Sequence, residues 1–254
     1  MRRFLITFII LALFLAIACQ KTLPTKLNFI PVINGQPVTC DSDLIIAEEA
    51  WRLSTFQFYL SKILLDKKMQ NINYDGSLKE VNNEIALIGG NCRGEFNWEV
   101  ELDSQLKHKA LLEFELAVPF EVNHKNPLTA KFPLNQSDMF WAWQLGHKFL
   151  RLDLANKTVK GESWSFHLGS TGCDSASVMR APKVPCKNPN RVSFAIKNFE
   201  PSKPIYISFN NLTSELALNS ENSCMGELNQ SACRVLYQNL NQKVIFTQDI
   251  ELIK

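Results

Sequence analysis

The chain has 254 residues, 46% of them hydrophobic and 20% charged, with 10 glycines and 11 prolines. That is enough apolar material for one sizeable core, and it excludes intrinsic disorder, a collagen-like repeat and a coiled coil. The formal charge of +2 includes Arg2 and Arg3, which fall in a segment read below as removed; without them basic and acidic side chains balance. Binding nucleic acid by counterion release needs clustered lysine and arginine, and no such run exists, which argues against a nucleic-acid partner.

Residues 1–18 read as a bacterial export signal: Arg2-Arg3, an apolar run from Phe4 to Ile17, then the small Ala18 before Cys19. The run is shorter than a spanning helix requires, and no other stretch is apolar enough to cross a bilayer. Leu15-Ala16-Ile17-Ala18-Cys19 resembles a lipobox, in which the chain is cut before a lipidated cysteine, although Ala16 stands where a larger aliphatic residue is usual. Gln20 after that cysteine, rather than aspartate, points to an outer-membrane lipoprotein on the periplasmic side of the envelope; an ordinary cleaved signal is the alternative. Lipidation of Cys19 leaves six cysteines, an even set, which in an exported protein implies disulfides. Spacing favours the local loops Cys173–Cys186 and Cys224–Cys233, leaving Cys40–Cys92. The competing reading, thiolate metal ligation, lacks any C-x-x-C pair.

Beyond the signal, one domain is expected from about residue 26 to residue 254. Helical candidates are few: 43–53, with the acidic cluster Asp41, Asp43, Glu48 and Glu49 read as a helix N-terminal turn, and later 232–240. Period-two alternation recurs at 56–60, 112–116, 150–154, 192–196, 205–209 and 244–250, which predicts strands with one face in a core. The stretch 169–190, rich in serine and proline, reads as a long stapled loop. The expected fold is therefore all-β: an antiparallel, β-sandwich-like single domain with a few short helices and disulfide-stapled loops.

The motifs for zincin, phosphate-loop and dinucleotide chemistry are absent. Gly169-Ser170-Thr171-Gly172 lacks the spacing of a serine-hydrolase elbow and reads as a tight turn, leaving a Ser170–His167 hydrolase as a minor reading. The densest region of soft donors is Ser137-Asp138-Met139-Phe140-Trp141-Ala142-Trp143. If extended, it places Met139, Trp141 and Trp143 on one face. Core packing is the plain reading of a thioether beside indoles; a Cu(I) site, using Met sulfur and His nitrogen, is the other. Periodicity does not decide between them. In Trp164-Ser165-Phe166-His167-Leu168 the apolar residues share one face and His167 takes the other. His124 falls in a loop after a strand, and His108, between two lysines, reads as surface.

Several segments together resemble the MbnP-like, methanobactin-associated family of periplasmic copper-binding proteins. They are Phe56-Gln57-Phe58-Tyr59-Leu60-Ser61, Val118-Pro119-Phe120 with Asn123-His124, Pro133-Leu134-Asn135, Met139-Phe140-Trp141-Ala142-Trp143-Gln144 and Lys148-Phe149-Leu150-Arg151-Leu152-Asp153. His167-Leu168-Gly169-Ser170-Thr171-Gly172-Cys173 and the loop from Cys224-Met225 to Cys233 complete the set. The resemblance implies one Cu(I) per chain and no catalytic role. It also implies that a diheme partner of the cytochrome c peroxidase class oxidises Trp141 to kynurenine, with Trp143 beside it to relay charge or to pack. For the ligands it points to histidine and methionine near the kynurenine: Met139, with Met225 in reserve, and His124 or His167. His147 stands where the family leads one to expect an aromatic residue such as tyrosine. The alternative is a structural or interaction lipoprotein on the same scaffold, with Trp141 unmodified and no metal.

Overall fold

The computed structural model describes residues 24–253 apart from 75, 79 and 107. The export signal and Cys19 lie outside the described residues. In chain order the elements are β1 (Lys26–Ile33), β2 (Gln36–Pro37), β3 (Leu44–Ile46), β4 (Glu49–Leu65), β5 (Lys68–Met69), β6 (Ile85–Asn91), β7 (Phe96–Asn97), β8 (Glu99–Glu101) and β9 (Ala110–Leu116). Then follow α1 (Phe120–Asn123), β10 (Phe140–Ala142), β11 (Gly146–Asn156), β12 (Ser163–Gly169), β13 (Val192–Phe199), β14 (Ile205–Ser208), α2 (Phe209–Thr213), α3 (Ser231–Gln242) and β15 (Phe246–Thr247).

These strands form two sheets. A ten-stranded sheet is built on β4, which pairs antiparallel with β11, β6 and β9 in turn along its length. A five-stranded sheet is built on β1, flanked by β14 in the one parallel pairing among the described strands. The fold is the expected all-β sandwich. Its core is aromatic: Phe29 of β1 meets Phe58 of β4 and Phe114 of β9 edge-on, with ring centroids 5.9 and 6.5 Å apart. Phe56 meets Phe209 of α2 at 5.1 Å. Phe56, Phe58, Phe114 and Phe209 are all buried. Truncating any one to alanine is expected to cost about 3–5 kcal/mol.

The alternation in β4 puts Phe56, Phe58 and Leu60 inward and turns Gln57, Tyr59 and Ser61 to the opposite face. At Lys62 the backbone takes φ +49° and the pairing with β9 shifts register, so the strand bends as it passes from β11 to β9. The bend is braced by Glu115 of β9, which accepts from Lys62 Nζ at 2.9 Å and from Arg191 Nε at 2.9 Å.

All three disulfides pair as the spacing predicts: Cys40–Cys92, Cys173–Cys186 and Cys224–Cys233. The expected helix at 232–240 is α3, which buries Cys233, Leu236 and Leu240. The expected helix at 43–53 is instead the β3–β4 hairpin, with Leu44 opposite Trp51 and Ile46 opposite Glu49. Ala47 and Glu48 both take positive φ (49° and 69°) in its two-residue turn, a conformation usually given to Asn or Gly. Good helix formers at the turn hid the hairpin; burial of Leu44, Ile46, Trp51 and Leu53 decides it. Asp43 consequently pairs with Lys157 rather than capping a helix. Two strand expectations also shorten. β14 ends at Ser208, whose hydroxyl accepts from Asn211 N–H at 3.1 Å and caps α2. In 244–250 only Phe246 and Thr247 are strand. No helix among the described residues is long and apolar enough to cross a membrane.

Candidate functional site

The outer face of the β12–β11–β4–β6 sheet carries two polar rows running across the strands. One row is Ser165, Asp153, Thr55 and Asn91; the next is His167, Arg151, Gln57 and Gly89. Asp153 is the hub. Its Oδ1 accepts from His167 Nε2 at 2.7 Å and from Ser165 Oγ at 2.8 Å, and its Oδ2 accepts from Arg151 Nε at 2.6 Å. Burial by itself raises its pKa; the His167 hydrogen bond and charge, Ser165 and Arg151 outweigh it and hold the carboxyl well below the usual carboxylate range. An ionised carboxylate only accepts, so Nε2 of His167 carries the proton in this bond, and in the neutral imidazole Nδ1 keeps its lone pair.

Trp141 lies beside this imidazole, ring centroids 6.4 Å apart. Its indole fills a slot walled by two glycines. A Cβ on Gly169, at the end of β12, would stand 2.6 Å from Trp141 Cζ3, and a Cβ on Gly226 would stand 3.1 Å from Cη2. Both distances are too short for a side chain on either glycine unless the indole moves. The walls come from separate parts of the chain and are tied together. His167 N–H donates to the Cys224 carbonyl and Cys224 N–H to the Ser165 carbonyl, each at 2.8 Å. The Cys224–Cys233 bridge fixes that segment to α3. Asn190, itself buried, donates through Nδ2 to the Gly169 carbonyl at 2.8 Å and the Gly226 carbonyl at 3.4 Å. Trp141 nevertheless stays only half-buried, as does Trp143.

Two further histidines are buried nearby, and they differ. His124, after α1, donates Nδ1–H to the Trp143 carbonyl at 3.1 Å, while its Nε2 meets the Asn123 amide nitrogen only at 3.4 Å. Burial, and secondarily the neighbouring His147, push its pKa down against the Trp143 hydrogen bond, favouring neutral imidazole. His147 is fully buried, and both of its nitrogens face backbone carbonyls: Nδ1 that of Asn123 at 2.6 Å, Nε2 that of Leu134 at 2.9 Å. Burial pushes its pKa down, opposed by those two carbonyls. No lone pair of His147 points into open space.

The other sequence candidates fall as follows. Met139 ends a 3-10 turn (Ser137–Met139) and is fully buried in the apolar core. It therefore does not share an extended face with Trp141 and Trp143, the latter lying in the turn after β10. Met225 is exposed, next to the Gly226 wall. Ser170 Oγ donates to the Pro189 carbonyl at 3.3 Å, and among the described residues no hydrogen bond joins it to His167. Histidine, cysteine and acidic side chains do not gather in threes around a common point among the described residues. A metal held here would rely on histidine together with Trp141 or a methionine.

A sequence profile of the MbnP family matches residues 22–226. The chain belongs to the MbnP family. The structure is similar to that of MbnP from Methylosinus trichosporium, with a TM-score of 0.69 and 23% identity over 86% of this chain and 88% of that one. At that identity the likeness speaks for the fold. No curated protein sequence matches significantly. Of the stretches quoted for the resemblance to MbnP proteins, 167–173 and the loop after Cys224 border the Trp141 slot. Asp153, Asn190 and Gly226 were not singled out in the sequence. Asp153 was within reach, because alternation in 150–154 sets it opposite the leucines, on the side His167 takes across from β12. Nothing local in the sequence marks Asn190 or Gly226.

Proposed function

We propose that this MbnP-family protein binds Cu(I) in the periplasm as part of copper homeostasis, as a carrier or buffer rather than an enzyme. Its site matures when a diheme cytochrome c peroxidase-like partner oxidises Trp141 to kynurenine. The observation that carries the reading is the pairing of a half-exposed indole, gripped between Gly169 and Gly226, with an imidazole whose Nε2 is fixed on Asp153. A histidine held on one nitrogen by a carboxylate or carbonyl and free on the other is the usual geometry of a metal-ligating histidine. His167 has the first form; His124 has the second, with its Nε2 meeting only a long bond from Asn123 Nδ2 at 3.4 Å, so both suit a soft-to-borderline ion. Met139 fits less well, its sulfur being enclosed in the core; Met225 is accessible.

Oxidation opens the pyrrole ring at its C2–C3 bond. Two waters supply the two new carbonyl oxygens, four electrons pass to the haem oxidant and four protons to solvent, and hydrolysis by a third water then releases the formyl carbon as formate. The product bears an aryl ketone acceptor and an aniline nitrogen, where the intact indole offers only an N–H donor. Asp153 and Arg151 hold His167 in place throughout. An outer-membrane lipid anchor on Cys19 would keep the protein at the envelope, where such a partner could reach the exposed edge of Trp141.

The test is Trp141→Phe, expressed in the native host and purified alongside the unaltered protein. The variant is expected to keep its far-ultraviolet circular dichroism and lose its copper. Tight, stoichiometric copper on the variant would refute the requirement for a modified tryptophan.

A further inference from the structure

A cleft of about 530 Å³ opens on the outer face beside Asp153, between β4, β11 and the turn after β6. Its lining includes Arg52, Thr55, Asn91, Arg93, Asp138, Arg151 and Asp153. Most of the acceptors in it are engaged. Both Asp153 oxygens are taken by His167, Ser165 and Arg151, and Asp138 is paired with Arg151 at 3.2 Å. The Asp138 carbonyl accepts from Lys148 Nζ at 2.7 Å, and Asn91 Oδ1 accepts from Arg93 N–H at 3.0 Å.

The donors are not. Arg93 makes no side-chain hydrogen bond or ion pair among the described residues. The acid that feels Arg52, Asp43, is hydrogen-bonded by Lys157 instead. Thr55, buried in register between Asp153 and Asn91, brings its hydroxyl to the same row. The rim is rigid: Cys92 is bonded to Cys40, and its N–H donates to the Ser54 carbonyl at 2.9 Å. A preorganised cleft with unpaired guanidiniums and mostly engaged acceptors favours a ligand that only accepts.

We propose that this cleft binds a small multivalent oxyanion, a phosphate or a polycarboxylate, between the guanidiniums of Arg52 and Arg93. The cleft borders the His167 hub through Asp153 and Arg151, but anion binding in it needs neither copper nor the modification of Trp141. Arg supplies the forked donor geometry that matches either anion. Calorimetric titration of the mature full-length protein with inorganic phosphate and with citrate, at constant ionic strength set by chloride, tests it. Saturable binding of at least one probe is expected. Saturation by phosphate alone identifies a phosphate site, and by citrate alone a carboxylate site. Arg52→Gln/Arg93→Gln should weaken that binding tenfold or more, while Lys125→Gln/Lys131→Gln, which removes the same charge from residues outside the cleft, should leave it unchanged. No saturable binding of either probe, or equal losses in the two double variants, overturns the proposal.

Discussion

His147 and His167 both lie on β11–β12 beside the W-x-W segment, yet they are opposite in what they can do. His147 is enclosed and spends both nitrogens on backbone carbonyls, stitching Asn123 and Leu134 over the sheet. His167 spends one nitrogen on Asp153 and keeps the other beside Trp141. A histidine near a candidate centre is therefore qualified by an available lone pair, not by proximity. His147 stands where the family resemblance leads one to expect an aromatic side chain, and it packs like one, edge-on against Tyr59 and Phe140 at 5.9 and 5.0 Å.

The sharpest way to break this contrast is by substitution at the histidines. His167→Ala and His124→Ala should each lower copper retention in host-purified protein by well over tenfold. His147→Phe should leave copper per folded chain unchanged and instead cost about 1–3 kcal/mol of stability, through the orphaned carbonyls. Copper lost in His147→Phe at full occupancy of the folded state would erase the distinction.

Asp153→Asn acts on the same histidine with a smaller effect. A partner that orients a ligating histidine typically changes metal affinity by roughly 10–100-fold, and that is the loss expected in a copper competition assay. The substitution also has a pH signature. Because the folded-state pKa of Asp153 is depressed from its ordinary 3.8, its contribution to stability is fully present above that value. It is lost as the pH falls from there through the folded-state pKa. Acid denaturation of the unaltered protein should therefore steepen below the ordinary carboxylate range, and Asp153→Asn should flatten that limb. Unchanged acid curves would show that the His167–Asp153 link contributes nothing.

The smallest effect is expected at the slot. Gly169→Ala pushes a methyl carbon against the indole at 2.6 Å, so overpacking should cost about 1–3 kcal/mol and shift the Trp141 emission. A thermal midpoint and emission spectrum like the parent's would mean that the indole is not gripped.

Much of this architecture is legible in the sequence, for a physical reason: strands with one buried face impose period-two alternation, and 56–60, 112–116 and 150–154 show it cleanly. Cysteine spacing was equally readable because two of the bridges close short loops. The β3–β4 hairpin was not, since Ala47 and Glu48 adopt a turn conformation that their side chains do not favour. The site was legible in part. Trp141 and His167 stand out as residues, but the slot around the indole depends on Gly226 and Asn190, which tertiary pairing delivers from distant parts of the chain. The enclosure of Met139 was also hidden, because a 3-10 turn at Ser137–Met139 breaks the extended register that would have aligned it with Trp141.

Peptide mass mapping, with copper quantitation, of the protein purified from its native host tests the proposed copper site most directly. Kynurenine at Trp141 with about one copper per chain is the predicted result. An intact Trp141 in protein that carries no copper would contradict it and leave an interaction lipoprotein on the same β scaffold.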